Sequence, residues 1–208
     1  DLPAAFGRLL ALPVILRCAQ AHALLWPHIS FSDRFIDPVE EGVDIMVRVG
    51  GPQVWSAALE HRYLGSERHV FCAAPAYLSL HGTPTTDREL EQHQCVAYGL
   101  ADGTVSPWRF AGSRAGEVER RVMPAQYIVG DGEGQVMAVL AGCGIAQLPT
   151  WLIKQPLADG SLVELLPHLA SEGLPIHLAW PKNRQHLPKV RVLLDALTQG
   201  LTGGIQTP

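Results

Sequence analysis

Residues 30–50, SFSDRFIDPVEEGVDIMVRVG, carry the clearest folding signal in this chain. Asp37 can cap a helix, and Glu40 stands at the position that a capping box requires. Gly42 can end this short helix, and the apolar residues that follow predict a strand from 43 to 49. A short helix that runs directly into a buried strand is typical of α/β proteins.

Strands and helices alternate along most of the chain. Strands are predicted at 28–32, 43–49, 60–64, 68–74, 95–98, 108–111, 118–123, 125–129, 145–148, 162–166 and 176–180. Helices are predicted at 8–23, with a start at Pro13 as the alternative, and at 37–42, 75–80, 86–93, 133–141 and 188–201. A Gly65-Ser66 turn would join two of the strands, and 108–123 would form a hairpin. The alternation predicts an α/β fold whose strands pair mostly in parallel.

The composition excludes several classes of protein. The 208 residues carry a net charge of −4, are 47% hydrophobic and contain 17% charged residues. Such a chain folds as one large domain or two small ones and does not remain disordered. Its acidic balance is not that of a protein that binds nucleic acid by itself. The most apolar segment, 9–25, contains Arg17, Gln20 and His22, so we expect no membrane span.

The sequence carries no signature of catalysis or of metal binding. It lacks the GxSxG, HExxH and GxxxxGK[ST] patterns, and its nine histidines have no ligand spacing. The four cysteines are far apart and include no CxxC pair, so we expect thiols and not disulfides or a metal site. The residues therefore give no support for an enzyme, and we expect no cofactor.

Two local patterns each allow two interpretations. The run 130–134, GDGEG, is either a tight turn between a strand and a helix or a ligand contact through helix-start amides or Asp131. Asp44 and Arg48 lie four positions apart on one predicted strand. Arg48 is then part of a structural ion pair, part of a solvated strand end, or a ligand contact near the carboxyl end of that strand.

Several motifs resemble the effector domain of LysR-type transcriptional regulators, in the branch that carries SFSDR and EEGVD. They occur in the family's order over nearly the whole chain. The motifs are SFSDRFID at 30–37, EEGVDIMVRVG at 40–50, APAYL at 74–78, GTP at 82–84, WRF at 108–110, LAGCGIAQLP at 140–149, WP at 180–181 and LPKVR at 187–191. Their order and spacing make the resemblance specific.

The resemblance implies a fold similar to that of type 2 periplasmic binding proteins. Two α/β subdomains would be joined by two crossover strands, 68–74 and 176–180, around a ligand cleft. Subdomain 1 would contain 1–70 and 177–208, and subdomain 2 would contain 71–176. The family's helix-turn-helix and linker helix normally precede this domain and are not in the sequence, so we expect the chain to be part of a longer protein.

Ligands of open α/β sheets lie beyond the carboxyl ends of the strands, next to helix starts. Applied to the implied fold, this rule selects thirteen candidate effector contacts. In subdomain 1 they are Ala4, Ala5, Phe6, Ser32, Asp33, Arg48, Val49 and Gly50. In subdomain 2 they are Tyr98, Gly99, Val129, Gly130 and Asp131.

Two departures from the family's usual residues affect the choice of ligand. Ala4-Ala5 stand where Ser or Thr is common, and Gly130-Asp131 stand where Asn-Asn or Asn-Asp often occurs. Both changes remove side-chain donors that would hold a carboxylate. The class of effector is left open between a small acid and an aromatic compound.

The resemblance also implies partners and a location. A small molecule would bind in the cleft, copies of the domain would form dimers or tetramers, and DNA would be bound only through the absent N-terminal domain. Helices at 13–23 and 133–141 would pair side by side between copies, subdomain 1 against subdomain 2, or their apolar faces would be plain core. No membrane partner is expected, and the location would be cytoplasmic. The alternative function is a solute-binding protein of the same fold.

Overall fold

The computed structural model describes residues 1–52, 54–112, 114 and 117–202. The chain divides into two compact units, which we call unit 1 (Asp1–Ser66 with Leu174–Pro208) and unit 2 (Glu67–Gly173). Both divisions fall inside long strands, a few residues before the boundaries expected from the sequence. That the two units act as regulatory subdomains stays a prediction.

Unit 1 begins with one continuous helical run. It consists of α1 (Ala4–Phe6), a π-helical turn (Gly7–Ala11) and α2 (Leu12–Ala21). The predicted starts, at 8 or at Pro13, are both too late. The run begins earlier because the Gly7 N–H donates to the Pro3 carbonyl at 2.6 Å. The widened π turn precedes Pro13, whose ring would clash with the carbonyl four residues back in a regular helix.

One face of this run packs against α7 (Pro188–Thr202), the helix that the sequence predicted most clearly. The two helices approach so closely that a Cβ on Gly200 would lie 2.7 Å from Val14 Cγ2. The run Ala4–Ala21 is long and apolar enough to satisfy a length-and-composition test for a membrane span, a test that core helices also satisfy. Its burial is one-sided, as in a core helix, since Val14 and Cys18 are buried whereas Arg17 is exposed.

The strands predicted at 28–32 and 43–49 are shorter in the structure than the sequence suggests. β1 (Met46–Val49) pairs antiparallel with β9 (Ser171–Pro181), from Met46 opposite Ala179 to Val49 opposite Ile176. The predicted strand at 28–32 is reduced to a parallel bridge between Leu2 and Phe31. Residues 1–2 lie between Phe31 and β1, since the Val47 N–H donates to the Asp1 carbonyl at 2.9 Å.

The helix predicted at 37–42 is a series of hydrogen-bonded turns instead. Asp37 performs the expected capping, because its Oδ1 accepts from the Val39 N–H at 2.8 Å. Gly42, at φ +69°, ends the turns before β1. The four residues between the Asp37 cap and the left-handed Gly42 are too few for regular helix hydrogen bonding to continue.

β2 (Leu59–Ala73) and β9 are the two strands that run from one unit into the other. The predicted turn at Gly65-Ser66 is wrong, because both residues lie inside the continuous β2 and Gly65 takes φ +129°. In unit 2, a Cβ on Gly173 would lie 1.8 Å from the Glu67 carbonyl oxygen. Glycine is therefore required where the backbones of β9 and β2 meet.

Unit 2 contains most of the strands. β3 (Cys95–Tyr98) and β6 (Ala125–Val129) pair in parallel, and β4 (Trp108–Ala111) forms the expected hairpin with β5 (Val118–Arg121). β7 (Ala146–Pro149) and β8 (Val163–Leu165) pair antiparallel with β2. The prediction of mostly parallel pairing is therefore wrong within the described residues, because the strands that pair with β2 and β9 run against them.

The helices of unit 2 are short. They are α3 (Pro75–His81), α4 (Asp87–Leu90), α5 (Gly132–Leu140) and α6 (Lys154–Ala158). The Thr86 hydroxyl caps α4 as predicted by accepting from the Glu89 N–H at 3.3 Å. Two 3₁₀ turns, Pro167–Leu169 and Lys182–Arg184, complete the helical elements of the described chain.

Two apolar clusters form the core of unit 2. One contains Phe71, Trp108 and Phe110, and the other contains Val70, Val96 and Leu148. The four cysteines are free thiols, three of them buried. Burial raises the pKa of Cys72 to about 12 and that of Cys95 to about 11, so both thiols are protonated and unreactive at neutral pH.

Candidate functional site

Three of the predicted contacts in unit 1 meet at the start of the first helix. The Ala4 N–H donates to Asp33 Oδ1 at 3.0 Å, so Asp33 caps the helical run. Ser32 lies next to it, and its hydroxyl accepts from the Arg34 N–H at 3.2 Å. Ala5 and Phe6, two further predicted contacts, are buried. Their exposed fractions are 8% and 1%, because they face the core from the first helical turn.

Arg48 is part of a buried ion pair. Its Nη2 lies 2.5 Å from Asp1 Oδ1, and the exposed fractions of the two side chains are 3% and 4%. Its Nη1 donates to the Val47 carbonyl at 2.6 Å, whereas its buried Nε has no hydrogen-bond partner among the described residues. Burial lowers the pKa of Arg48 to about 10, and the nearby Asp33 carboxylate opposes this shift.

Asp44 pairs with other residues of unit 1 and not with Arg48. Its Oδ1 lies 2.7 Å from Arg184 Nη1, and its Oδ2 lies 2.6 Å from Lys189 Nζ. Positions four apart on an extended chain are roughly 13 Å apart, too far for a direct pair. Asp44 and Arg48 therefore do not pair with each other, and the ion-pair interpretation holds for Arg48 with Asp1 as its partner.

A cluster of four rings adjoins the carboxyl end of β1. We call Trp55, His61, Tyr63 and His177 the ring cluster. The ring centroids of Trp55 and His61 are 5.0 Å apart and the two rings are stacked with nearly parallel planes. The centroids of Trp55 and Tyr63 each lie 5.4 Å from that of His177. The distances join rings from three separate segments of unit 1.

The predicted contacts Val49 and Gly50 lead into this ring cluster. Gly50 takes φ +80° and donates its N–H to the Pro175 carbonyl at 2.8 Å. A Cβ on the next residue, Gly51, would lie 3.4 Å from Trp55 Cζ2. Burial first, and then the neighbouring His61, lower the pKa of His177, whereas its hydrogen bond with the Gly50 backbone opposes the shift. His177 is therefore neutral at pH 7.

The five predicted contacts of unit 2 lie together at one edge of the parallel pair. β3 ends at Tyr98 and β6 ends at Val129, opposite each other in the ladder. The Gly99 N–H donates to the Val129 carbonyl at 3.1 Å. A Cβ on Gly130 would lie 3.4 Å from the Gly99 carbonyl oxygen, so the two glycine backbones pass close to each other.

Asp131 caps α5. Its Oδ1 accepts from the Gly134 N–H at 2.8 Å, and its backbone is extended, as in a typical N-cap residue. The GDGEG run is thus a turn from strand to helix in which the cap occupies one helix-start amide. Its role as a ligand contact stays a prediction.

The described residues contain no group of three or more His, Cys, Asp or Glu side chains that could hold a metal ion. A groove of about 710 Å³ does lie in unit 1, with Leu25, Ile29 and Leu193 among its lining residues. Among the thirteen predicted contacts, Ser32 is the one that belongs to the lining of this groove. The predicted contacts and this groove are therefore largely separate surfaces.

The LysR substrate binding domain family matches residues 1–202. The chain belongs to this family. The family resemblance and the α/β fold of the type 2 periplasmic-binding-protein kind, both expected from the motifs, are confirmed.

Similar proteins of this LysR family are transcriptional regulators by name. The chain is 32% identical over 188 residues to an uncharacterized HTH-type transcriptional regulator of Haemophilus influenzae. The matched region covers 90% of the chain and 63% of the relative. It is 26% identical to CrgA, a LysR-type transcriptional regulator from Neisseria meningitidis, with a TM-score of 0.84 over 97% of the chain and 67% of CrgA. The CrgA regulatory domain alone gives a TM-score of 0.83 at 26% identity, over 97% of the chain and 96% of that domain.

The chain thus spans just under two thirds of the length of the Haemophilus influenzae relative. It spans almost the whole of the solved CrgA regulatory domain. The described LysR domain is the regulatory portion of such proteins.

Proposed function

We propose that this chain senses a small-molecule effector and passes the signal to DNA binding by another part of a longer regulator. The observation that supports this is a repeated local arrangement. In each unit, predicted contacts lie where strands end, next to a helix start capped by an aspartate: Asp33 at Ala4 in unit 1 and Asp131 at Gly134 in unit 2. Ligands of α/β proteins bind at such edges.

The proposed mechanism is a shift between two arrangements of the chain. A ligand that contacts the predicted residues of a unit, which we call its half-site, binds one arrangement more tightly and so increases its population. β2 and β9 are the strands that continue from one unit into the other. The size of the response is limited by the difference in affinity for the two arrangements.

The role is binding and not catalysis. The relatives are named as transcriptional regulators, which supports this choice over an enzyme and over a solute-binding protein. We place the longer protein in the cytoplasm, because a regulator has to reach DNA. We propose no membrane partner, and DNA contact would come only from a domain outside this chain.

Substitution of Gly130 tests the half-site in unit 2. Gly130→Val adds a side chain beside the Gly99 carbonyl, at 3.4 Å from the new Cβ, and narrows the space for a ligand. We expect effector affinity to fall by about tenfold or more while the domain stays folded. Isothermal calorimetry with a ligand found by thermal-shift screening measures the change, since ligand at 100 Kd adds about 2.7 kcal/mol to stability.

Ala101→Val is the control for that experiment, because Ala101 lies in an exposed turn of the same unit. It should leave the affinity unchanged. If Gly130→Val also leaves it unchanged, the assignment of the unit 2 half-site is wrong.

We also propose that copies of the chain associate through α2 and α5. Each helix carries exposed apolar side chains: Leu16 is 48% exposed on α2, and Met137 and Leu140 are 71% and 41% exposed on α5. Exposed apolar groups of this kind mark association surfaces. The resulting assembly would be a homodimer or a tetramer.

Charge placed on α5 tests this association. Met137→Glu should shift the sedimentation profile of the chain toward the monomer, because a carboxylate cannot be buried unpaired in an apolar contact. Leu80→Glu is the matched control, since Leu80 on α3 is 83% exposed outside the proposed contact. Equal effects of the two substitutions, or none from Met137→Glu, would contradict the assignment.

A further inference from the structure

The donors that would hold a carboxylate effector in unit 1 are already bonded to carboxylates of the chain itself. The Ala4 N–H donates to Asp33, and Arg48 Nη2 binds Asp1 in a buried pair. Helix-start amides and arginine are the groups that proteins use for anions. An acidic effector at this half-site would have to displace these carboxylates or lie against them.

The ring cluster offers a different kind of contact. It adjoins Gly50 and Gly51, and it is accessible, since His61 is exposed and Tyr63 is 44% exposed. His177 is neutral at pH 7, because burial lowers its pKa, and Trp55 and Tyr63 add two further uncharged rings. Such faces stack on other planar rings.

One donor of Arg48 remains for a ligand. Its Nε is buried and has no hydrogen-bond partner among the described residues, although Asp1 already neutralises the guanidinium charge. A buried donor of this kind favours a ligand acceptor, because leaving it unpaired costs free energy. A neutral carbonyl oxygen satisfies it without bringing a third negative charge next to Asp1 and Asp33.

We infer that the effector is a planar aromatic compound with a neutral carbonyl-type acceptor and no acidic group. Its ring would stack on the ring cluster, and its acceptor would point toward Arg48. This inference rests on the proposed function, since Arg48 and Gly50 are among the predicted effector contacts. It chooses between the two ligand classes that the sequence leaves open.

Benzamide and benzoate are matched probes for this choice, because they share a ring and differ in charge. Each is titrated into the 208-residue chain at millimolar concentrations while nitrogen-15 NMR follows the Trp55 indole N–H. We expect benzamide to shift this resonance saturably and benzoate to bind about tenfold more weakly or less. Trp55→Ala should abolish the benzamide interaction, whereas Trp26→Ala, which removes an indole that is 88% exposed elsewhere in unit 1, should not.

Asp33→Asn separately tests whether the Asp33 charge weakens the binding of an acidic ligand. Asparagine keeps an oxygen that can accept from the Ala4 N–H but removes the charge. It should raise benzoate affinity by about two- to fivefold, as expected for one partly exposed charge, and leave benzamide affinity unchanged.

The outcomes separate the inference from the proposed function. Benzoate binding as tightly as benzamide, or no benzamide shift at Trp55, overturns the inferred ligand class. The proposed function fails in a different way, namely if a ligand found by screening binds away from both half-sites. That result would not change which of benzamide and benzoate has the higher measured affinity at Trp55.

Discussion

Replacement of Gly144 by alanine is expected to destabilise unit 2 by about 3 kcal/mol or more. Gly144 takes φ +144°, and an added Cβ would lie 2.2 Å from the Gln94 carbonyl oxygen and 2.8 Å from its carbonyl carbon. Both atoms belong to the backbone and cannot rotate away. The same Gln94 carbonyl accepts the Ile145 N–H at 2.9 Å, so relief of the clash would also break the contact between β3 and the chain before β7.

Gly142→Ala is the matched control for this prediction. Gly142 also has a positive φ, +78°, but a Cβ there would meet no atom within 4 Å. Its cost is backbone strain alone, about 1 kcal/mol. Urea unfolding followed by tryptophan fluorescence gives both values, and similar losses for the two variants would contradict the close backbone contact at Gly144.

Removal of the Arg48 charge should be the second large effect. Arg48→Met leaves the Asp1 carboxylate buried without its cation and should lower the free energy of unfolding by about 3 kcal/mol. The cost is high because the exposed fractions of both side chains are below 5%, so water cannot replace the lost partner.

Two further variants define what the Arg48 result means. Arg68→Met removes an ion pair with Glu164 in which the arginine is 49% exposed, and it should cost under about 1 kcal/mol. The double variant Asp1→Asn with Arg48→Met should recover most of the lost stability, because no buried charge remains. A double variant as unstable as the single one would show that the ion pair is not the cause.

Local signals in the sequence predicted the elements whose hydrogen bonds are local. The Thr86 cap, the hairpin of β4 and β5, and the helix that follows Asp131 all form where their residues predict. The wrong predictions concern features that depend on contacts between residues distant in the sequence. Gly65-Ser66 has the composition of a turn, yet it lies in β2 because that strand connects two units. Strand direction likewise depends on distant partners that no local pattern specifies.

The candidate site likewise contains residues that local patterns could predict and residues that depend on distant partners. Gly99, Gly130 and Asp131 come together because they follow the ends of two adjacent parallel strands, which the strand pattern could predict. Phe6 was selected by position but faces the core, since its place on a helix face depends on an earlier helix start. The ring cluster was missed because its rings come from segments more than 100 residues apart in the sequence, 55–63 and 177.

Hydrogen exchange of the ligand-bound chain tests the central claim, that an effector binds at the predicted strand ends. The 208-residue chain is compared with and without a ligand found by thermal-shift screening. We predict slower amide exchange together at Ala4 and Gly50 in unit 1 and at Gly99 and Gly134 in unit 2. Protection confined to the groove lined by Leu25 and Leu193, with none at these strand ends, would contradict the account.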